Sequence, residues 1–343
     1  GNTYGPRSYG WKKQPKKIQK IWKDIIKVRG RPLRSAGEDV TEEDMNFAFA
    51  GQTILEEIVL GLAKRAKNLT GLENLCLAGG VALNAIANGK IKESKIFKDI
   101  FIFPASGDDG QSIGKLFYHL HKNNIDLETT CKNAFYGPEY NEGEIIETLQ
   151  GHEDNLVYSK FNEIDLVNEV TDRIIDGQVL GVWRGRSEIG PRALGHRSII
   201  ADPRKEEMRE FINSQVKNRE WYRPLAPVVL EEKVEDYFEI DTNSPFMLLA
   251  IKVKQDKRNQ IPAVTHVDGS ARLQTISETQ ERFFYNLVKD FGNKTGIPVL
   301  LNTSFNEERE PIVEHPSDAI KSFMRMNLDA LLLENYLVTK RKT

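Results

Sequence analysis

NLCLAGGVALN, residues 74–84, and DIFIFPASGDDGQSIG, residues 99–114, decide the fold of this chain. Each opens on a short apolar run and passes into a turn, Gly79-Gly80 in the first and ASGDDG in the second. Short apolar runs bounded by glycine or proline read as buried strands. Strand 74–78, a glycine turn, a helix, strand 99–104, a loop and a helix from Gln111 describe an α/β unit. The loops of such a unit gather at one edge of a parallel sheet, where ligands are bound.

Working outward, Thr41 and Asp44 form an N-terminal capping pair, and Phe47, Ile54, Leu55, Ile58, Val59 and Leu62 recur at helical spacing. Residues 1–40 are polar and lysine-rich, broken by Pro6, Pro15, Gly30 and Pro32. Within them Lys16 to Val28 reads as a basic helix with Ile18, Ile21, Trp22 and Ile25 on one side, a solvated face with an anchoring stripe. Beyond the first unit, residues 131–143 turn polar around Gly137-Pro138, which places a domain boundary at residues 132/133. The second half alternates strands (Val179–Trp183, Ala226–Leu230, Met247–Val253, Pro298–Leu301) with helices (Leu166–Ile175, Thr279–Phe291).

A chain of 343 residues can bury two cores, and 39% hydrophobic with 29% charged residues is the balance of a globular protein. A formal net charge of −2 argues against a nucleic-acid or membrane-surface partner. No apolar run reaches the length of a membrane span. Cys76 and Cys131 lack metal-type spacing and read as reduced thiols of a cytoplasmic protein.

The chemistry lies between the periodic segments. RGRSEIGPRALGHRSI (184–199) carries Arg184, Arg186, Arg192, His196 and Arg197; VKNREWYRP (216–224) carries Lys217, Arg219 and Arg223; VTHVDGSARLQT (264–275) carries His266, Asp268 and Arg272. Guanidinium forks match phosphate and carboxylate oxygens, and several such loops converging on one cleft would hold a polyanion. The bland reading of any one arginine is a surface ion pair; the glycine and proline frames favour the functional reading for the set. LLNTSFN (300–306) offers Asn302, Thr303, Ser304 and Asn306 at a strand end, a seat for an oxyanion or phosphate or an ordinary turn. Gly79 and Gly80 let a ligand approach the backbone closely, or make a tight structural turn. Asp108 and Asp109 enter a helix, as a metal ligand or as a cap. Neither a Walker-type phosphate loop nor a dinucleotide fingerprint is present.

In their order, LAGGVALN, GDDGQSIG, YGPEYNEGEI, RSEIGPRALGHRSI, VKNREWYRPLAP, SPFM, IPAVTHVDGSAR and TGIPVLLNTSFN resemble the antibiotic and nodulation O-carbamoyltransferases over roughly residues 45–340. The resemblance implies an α/β fold. Residues 1–132 would be the C-terminal half of a TsaD-type domain of the actin and sugar-kinase superfold. Residues 133–343 would be a YrdC-like domain with a twisted sheet. It implies that carbamoyl phosphate is cleaved and its carbamate joined to ATP, which enters with Mg2+, giving carbamoyl-adenylate and pyrophosphate. A hydroxyl of a small-molecule acceptor then takes the carbamoyl group. By the same resemblance Arg192, Lys217, Arg223 and Arg272 grip the phosphates. Arg186, Met247, His266, Asp268, Asn302, Thr303, Ser304 and Asn306 line the pocket. Gly79, Gly80 and Asn84 form the nucleotide-contacting turn, and Asp108 is the carboxylate metal ligand.

The family's N-terminal half, with its histidine pair, has no counterpart here, so Fe2+ or Zn2+ is implied only for the complete family enzyme, and a separate polypeptide could supply that half. Arg309 stands where the family usually has glycine, and His315 where it has threonine. Two other readings use the same motifs: a threonylcarbamoyl-type tRNA modification enzyme and a non-catalytic nucleotide-binding remnant.

Overall fold

A computed structural model describes residues 15–30, 38–125, 131–308 and 310–341, the side chains of Ile18, Trp22 and Arg29 excepted. Arg309 and parts of the lysine-rich opening lie outside the described residues. The chain divides into two compact units, Gly1–Ile58 and Val59–Thr343.

The first unit contains helix α1, Lys16–Arg29, which stops where Gly30 turns left-handed and donates to the carbonyls of Ile26 and Lys27. Helix α2, Glu42–Thr70, begins there and crosses the division. Its start is the expected reciprocal cap: Thr41 N donates to Asp44 Oδ2 at 3.1 Å and Asp44 N to Thr41 Oγ1 at 3.3 Å.

In the second unit the end of α2 supplies Ala63 to a small core with Ile91 and Phe97. Beside it strands β1 (Asn74–Leu77) and β2 (Asp99–Ile102) pair in parallel, Leu75 opposite Ile100. Helices α3 (Ala85–Glu93) and α4 (Gln111–Lys122) complete the α/β unit expected from the sequence. Among the described residues β1 and β2 pair only with each other, and Phe101, Leu116 and Phe117 near them are exposed. A two-stranded sheet with open edges is marginal by itself and invites further strands.

Among the described residues nine strands form one large mixed sheet: β3 (Leu156–Lys160), β4 (Leu180–Trp183), β5 (Arg197–Ala201), β6 (Ala226–Leu230), β7 (Leu249–Lys252), β8 (Ser270–Ile276), β9 (Val299–Ser304), β10 (Ala330–Leu333) and β11 (Tyr336–Lys340). Their order is β3-β11-β10-β4-β5-β9-β6-β8-β7. The pairs β10/β4 and β6/β8 are parallel, the rest antiparallel. The remaining helices are α5 (Glu142–Gln150), α6 (Glu163–Ile175), α7 (Glu207–Phe211), α8 (Val234–Tyr237), α9 (Arg282–Thr295) and α10 (Pro316–Arg325).

Because side chains alternate along a strand, the central apolar runs serve two cores at once. Ile200, Leu300 and Leu332 join Val170 of α6 and Phe291 of α9 on one face. Their neighbours Ile199, Leu301 and Leu331 join Ile145 of α5 and Phe323 of α10 on the other. Truncating one such leucine to alanine costs about 2–5 kcal/mol. The α/β unit is tied to this sheet by the buried Asn88, whose Nδ2 donates to Ala82 O at 2.7 Å and Leu248 O at 2.9 Å. Helix α3 comes so close to β7 that a Cβ on Gly89 would overlap the Ala250 carbonyl oxygen.

Three expectations are corrected. The strand expected at Pro298–Leu301 continues to Ser304, because Asn302 pairs with Ile200 on one side and Ala226 on the other. The strand expected at Met247–Val253 begins only at Leu249. Ahead of it Ser244 is pinned by Thr275 Oγ1 and Leu273 O, and Met247 turns left-handed at φ 54°. Finally, the segments 184–199 and 264–275, expected as arginine-bearing loops, end in strands, β5 from Arg197 and β8 from Ser270.

Candidate anion-binding site

The arginine-rich segments meet at one end of the β5-β9-β6-β8 part of the sheet. Arg272 lies on β8, and its Nε is buried without a hydrogen-bond partner. Burial and the neighbouring guanidiniums of Arg192 and Arg219 push it down to about 9, with no carboxylate acting in the other direction. Arg192, in the segment between β4 and β5, also has a buried, unpartnered Nε. Its one hydrogen bond is a long contact from Nη2 to Leu83 O, 3.4 Å. Burial lowers its pKa. Because Leu83 belongs to the LAGGVALN turn, Arg192 links the two motif-bearing parts of the second unit.

A π-helical turn, Ile212–Val216, ends at Lys217. The Lys217 side chain is buried, and Nζ donates to Ser304 O at 2.5 Å and Asn306 Oδ1 at 3.1 Å, with Ser304 Oγ at 3.3 Å. Burial, aided by nearby Arg219, holds its ammonium well below the usual lysine range. Arg219 donates from Nε to Asn213 Oδ1 at 2.8 Å, while its Nη2 is buried and unpartnered. It is pushed down to about 10 by burial and by Arg223, against the pull of Glu220. Arg223 is half-exposed and bonds Glu220 at 3.0 Å. The structure thus brings together Arg192, Lys217, Arg223 and Arg272, together with Arg219.

His266 lies beside Arg272 and Arg209, its Nδ1 3.2 Å from Ser270 Oγ. Its Nε2 is buried near the Leu225 backbone without a well-formed hydrogen bond. Burial, reinforced by Arg272 and Arg209 and opposed by Asp268, pushes it to about 4, so the imidazole is neutral at pH 7. Asp268 accepts from Ser270 N and Oγ at 2.9 and 2.7 Å. Burial works to raise its pKa, and these bonds with Lys252 and His266 more than offset that.

A buried amide chain crosses the site. Gln274 Nε2 donates to Leu194 O at 2.7 Å, so its Oε1 must accept, and does so from Asn302 Nδ2 at 2.7 Å. Asn302 Nδ2 also reaches Ala193 O at 3.3 Å, which leaves Asn302 Oδ1 buried and unpartnered. Unmatched donors on arginines and one unmatched acceptor therefore line the same region. Buried polar groups are ordinarily satisfied, and each exception costs about 1–3 kcal/mol. Such a cluster can hold a phosphate-bearing ligand that also offers an N–H.

Other expected residues are engaged differently. Arg186 is half-exposed and committed to Gly137 O and Glu139 Oε2. Thr303 is buried on β9 opposite Ile199, and Met247 is buried in its left-handed turn. Asn84 caps α3 through Ala87 N at 3.0 Å. Gly79, at φ 96°, donates to Ser106 O at 2.7 Å and faces open space, as does Gly80. Gly79 and Asp108 border a cavity of about 790 Å³ that is otherwise mainly apolar, lined by Phe101, Phe103, Leu116 and Phe117. Asp108 accepts from Gln111 Nε2 at 3.1 Å. Among the described residues no three His, Cys, Asp or Glu side chains are grouped so as to hold a metal ion.

Sequence reasoning undervalued Arg219 and did not single out Asn213 and Gln274. Asn213 bonds residues 219–223 and Gln274 bonds Leu194 and Asn302; only the composition around Arg219 gave a signal.

Among the described residues a nine-stranded mixed sheet thus carries a cluster of cationic side chains, several with buried unpartnered nitrogens. Residues 12–116 match the family model of the carbamoyltransferase N-terminus, and residues 171–340 that of the carbamoyltransferase C-terminus. The chain belongs to the carbamoyltransferase family. It is 40% identical to the uncharacterized protein sll1178 of Synechocystis over 93% of this chain and 56% of that protein. It is 39% identical to the nodulation protein NolNO of Sinorhizobium fredii over 92% of this chain and 47% of that one. With NolO of Bradyrhizobium diazoefficiens the identity is 38%, over 92% and 58%. The chain spans about half the length of these curated relatives. A solved structure of full-length HypF aligns at 16% identity and a TM-score of 0.34 over 52% of this chain and 22% of its own, too remote to assign the fold.

Proposed function

We propose that residues 133–343 form a YrdC-like domain that binds carbamoyl phosphate and ATP and makes carbamoyl-adenylate. The observation that carries this is Arg272, whose buried Nε has no partner and which faces two further arginines. In this reading carbamoyl phosphate loses its phosphoryl group to water, leaving carbamate. A carbamate oxygen attacks the α-phosphorus of ATP, the bond to the β-phosphate breaks, and pyrophosphate leaves. Arg192, Arg219, Arg223 and Arg272 neutralise the phosphate oxygens as charge moves, a preorganised stabilisation strongest away from water. Lys217, fixed between Ser304 and Asn306, supplies a further donor, and Asn302 Oδ1 accepts from the carbamoyl amino group. Acetyl phosphate, which lacks that N–H, would leave this acceptor unmatched.

Residues up to 132 are read as part of a TsaD-type domain, where an alcohol oxygen of a small-molecule acceptor attacks the carbamoyl carbon and AMP leaves. The open β1–β2 sheet and the apolar cavity beside it support completion of this part by further polypeptide. Magnesium enters as the ATP complex, and no step is drawn through iron or zinc. The test is pyrophosphate release from ATP with and without carbamoyl phosphate, in the full chain and in Lys217→Ala. Release that requires carbamoyl phosphate and is lost in the variant supports the reading; ATP binding without release in either condition overturns it for this chain.

A further inference from the structure

Asn213 sits, fully buried, in the π-helical turn that leads into Lys217. This turn is one residue wider than an α-helical one: Lys217 N reaches Ile212 O at 2.9 Å. Both amide hydrogens of Asn213 go to the loop that follows, to Trp221 O at 3.1 Å and Arg223 O at 2.9 Å. Its amide oxygen accepts from Arg219 Nε at 2.8 Å, and its backbone carbonyl from Arg219 N at 2.9 Å.

One neutral side chain therefore fixes the guanidinium of Arg219 and the backbone from which Arg223 springs. The far side of the same loop is fixed by Lys217 on Ser304 and Asn306. Fixing is needed, because Arg219 stands near Lys217, Arg223 and Arg272 and like charges drive it towards solvent. Holding Arg219 at Nε leaves its buried Nη2 unpartnered. A carboxylate in the place of Asn213 would neutralise that charge; an amide orients it and leaves it whole.

We infer that Asn213 is a positioning residue of the anion site, acting through the Arg219 guanidinium; this rests on reading the arginine cluster as a phosphate seat. The test is a double-mutant cycle on the full chain with inorganic pyrophosphate as the probe, read by calorimetry. Asn213→Ala and Arg219→Ala should each weaken pyrophosphate binding by about tenfold or more, the worth of a hydrogen bond to a charged group. The double variant should bind within about twofold of Arg219→Ala, because the two act as one unit. Additive losses, or an Asn213→Ala affinity within about twofold of the parent, overturn the inference. Arg272→Met is the control for the underlying reading: unchanged affinity there removes the phosphate seat itself, whereas its loss beside an unaffected Asn213→Ala removes only the role of Asn213. If Asn213→Ala does not fold, Asn213→Ser, too short to reach Arg219 Nε, carries the same cycle and criteria.

Discussion

Arg197 on β5 is fully buried, Arg272 on β8, with two strands between them, is partly exposed with its Nε buried, and the structure treats them in opposite ways. Arg197 lies over the Trp183 ring at 4.1 Å and donates to the carbonyls of Arg184, His196 and Gly185 at 2.7, 3.1 and 3.1 Å. Glu314 stands 3.7 Å away. Arg272 has no such carbonyl cradle, and the charges that act on it are the guanidiniums of Arg192 and Arg219. A buried guanidinium whose two terminal nitrogens are filled, as those of Arg197 are although its Nε is not, belongs to the scaffold. One whose donors are unfilled, among charges of its own sign, stores an unfavourable interaction that an anion relieves.

Removing Arg197 should have the largest effect. Arg197→Ala orphans three carbonyls and opens the 184–197 segment, so urea unfolding should show a loss of about 3–5 kcal/mol. Arg272→Met should move the other way, gaining about 1–4 kcal/mol in the same assay without ligand, since an uncompensated buried charge is replaced by an apolar group of similar length. Equal destabilisation by both variants would erase the distinction between the two arginines. Pyrophosphate should stabilise the parent chain by about 2.7 kcal/mol at a hundredfold excess over its Kd, and should leave Arg272→Met unmoved.

At neutral pH the smallest expected effect lies at His266. Its ordinary value of 6.5 falls to about 4 in the folded chain. Between these values the unfolded chain binds a proton that the folded chain refuses, so stability falls as pH drops, by about 1.4 kcal/mol per unit at most. His266→Gln should flatten that part of the stability profile between pH 6.5 and 4, which equilibrium unfolding at several pH values would measure. An unchanged slope would place the histidine in a more solvated setting than its arginine neighbours imply.

Much of the local structure was legible beforehand. The β1–α3–β2–α4 unit, the Thr41–Asp44 cap and strands at 180–183 and 226–230 follow from apolar spacing and glycine punctuation, which are local properties. Strands β5 and β8 escaped because arginines at 197 and 272 look like loop residues until the surrounding sheet buries them. The motif order placed Arg192, Lys217, Arg223 and Arg272 in one functional set, and the fold gathers them. Arg186 carried the same signal but is taken up by Gly137 and Glu139, 49 and 47 residues earlier in the chain.

By itself, then, the sequence determined the α/β unit, the cap, the ordered motifs and, through them, the family. Tertiary structure decided which buried charges are satisfied. Helix spacing and turn chemistry act over a few residues, whereas the partner that settles an arginine or amide stands elsewhere in the chain: Glu314 for Arg197, Gln274 for Asn302, Ser304 for Lys217. Only once those long-range bonds are formed can the unpartnered atoms that remain, among them those on Arg192, Arg219, Arg272 and Asn302, be told apart from the rest.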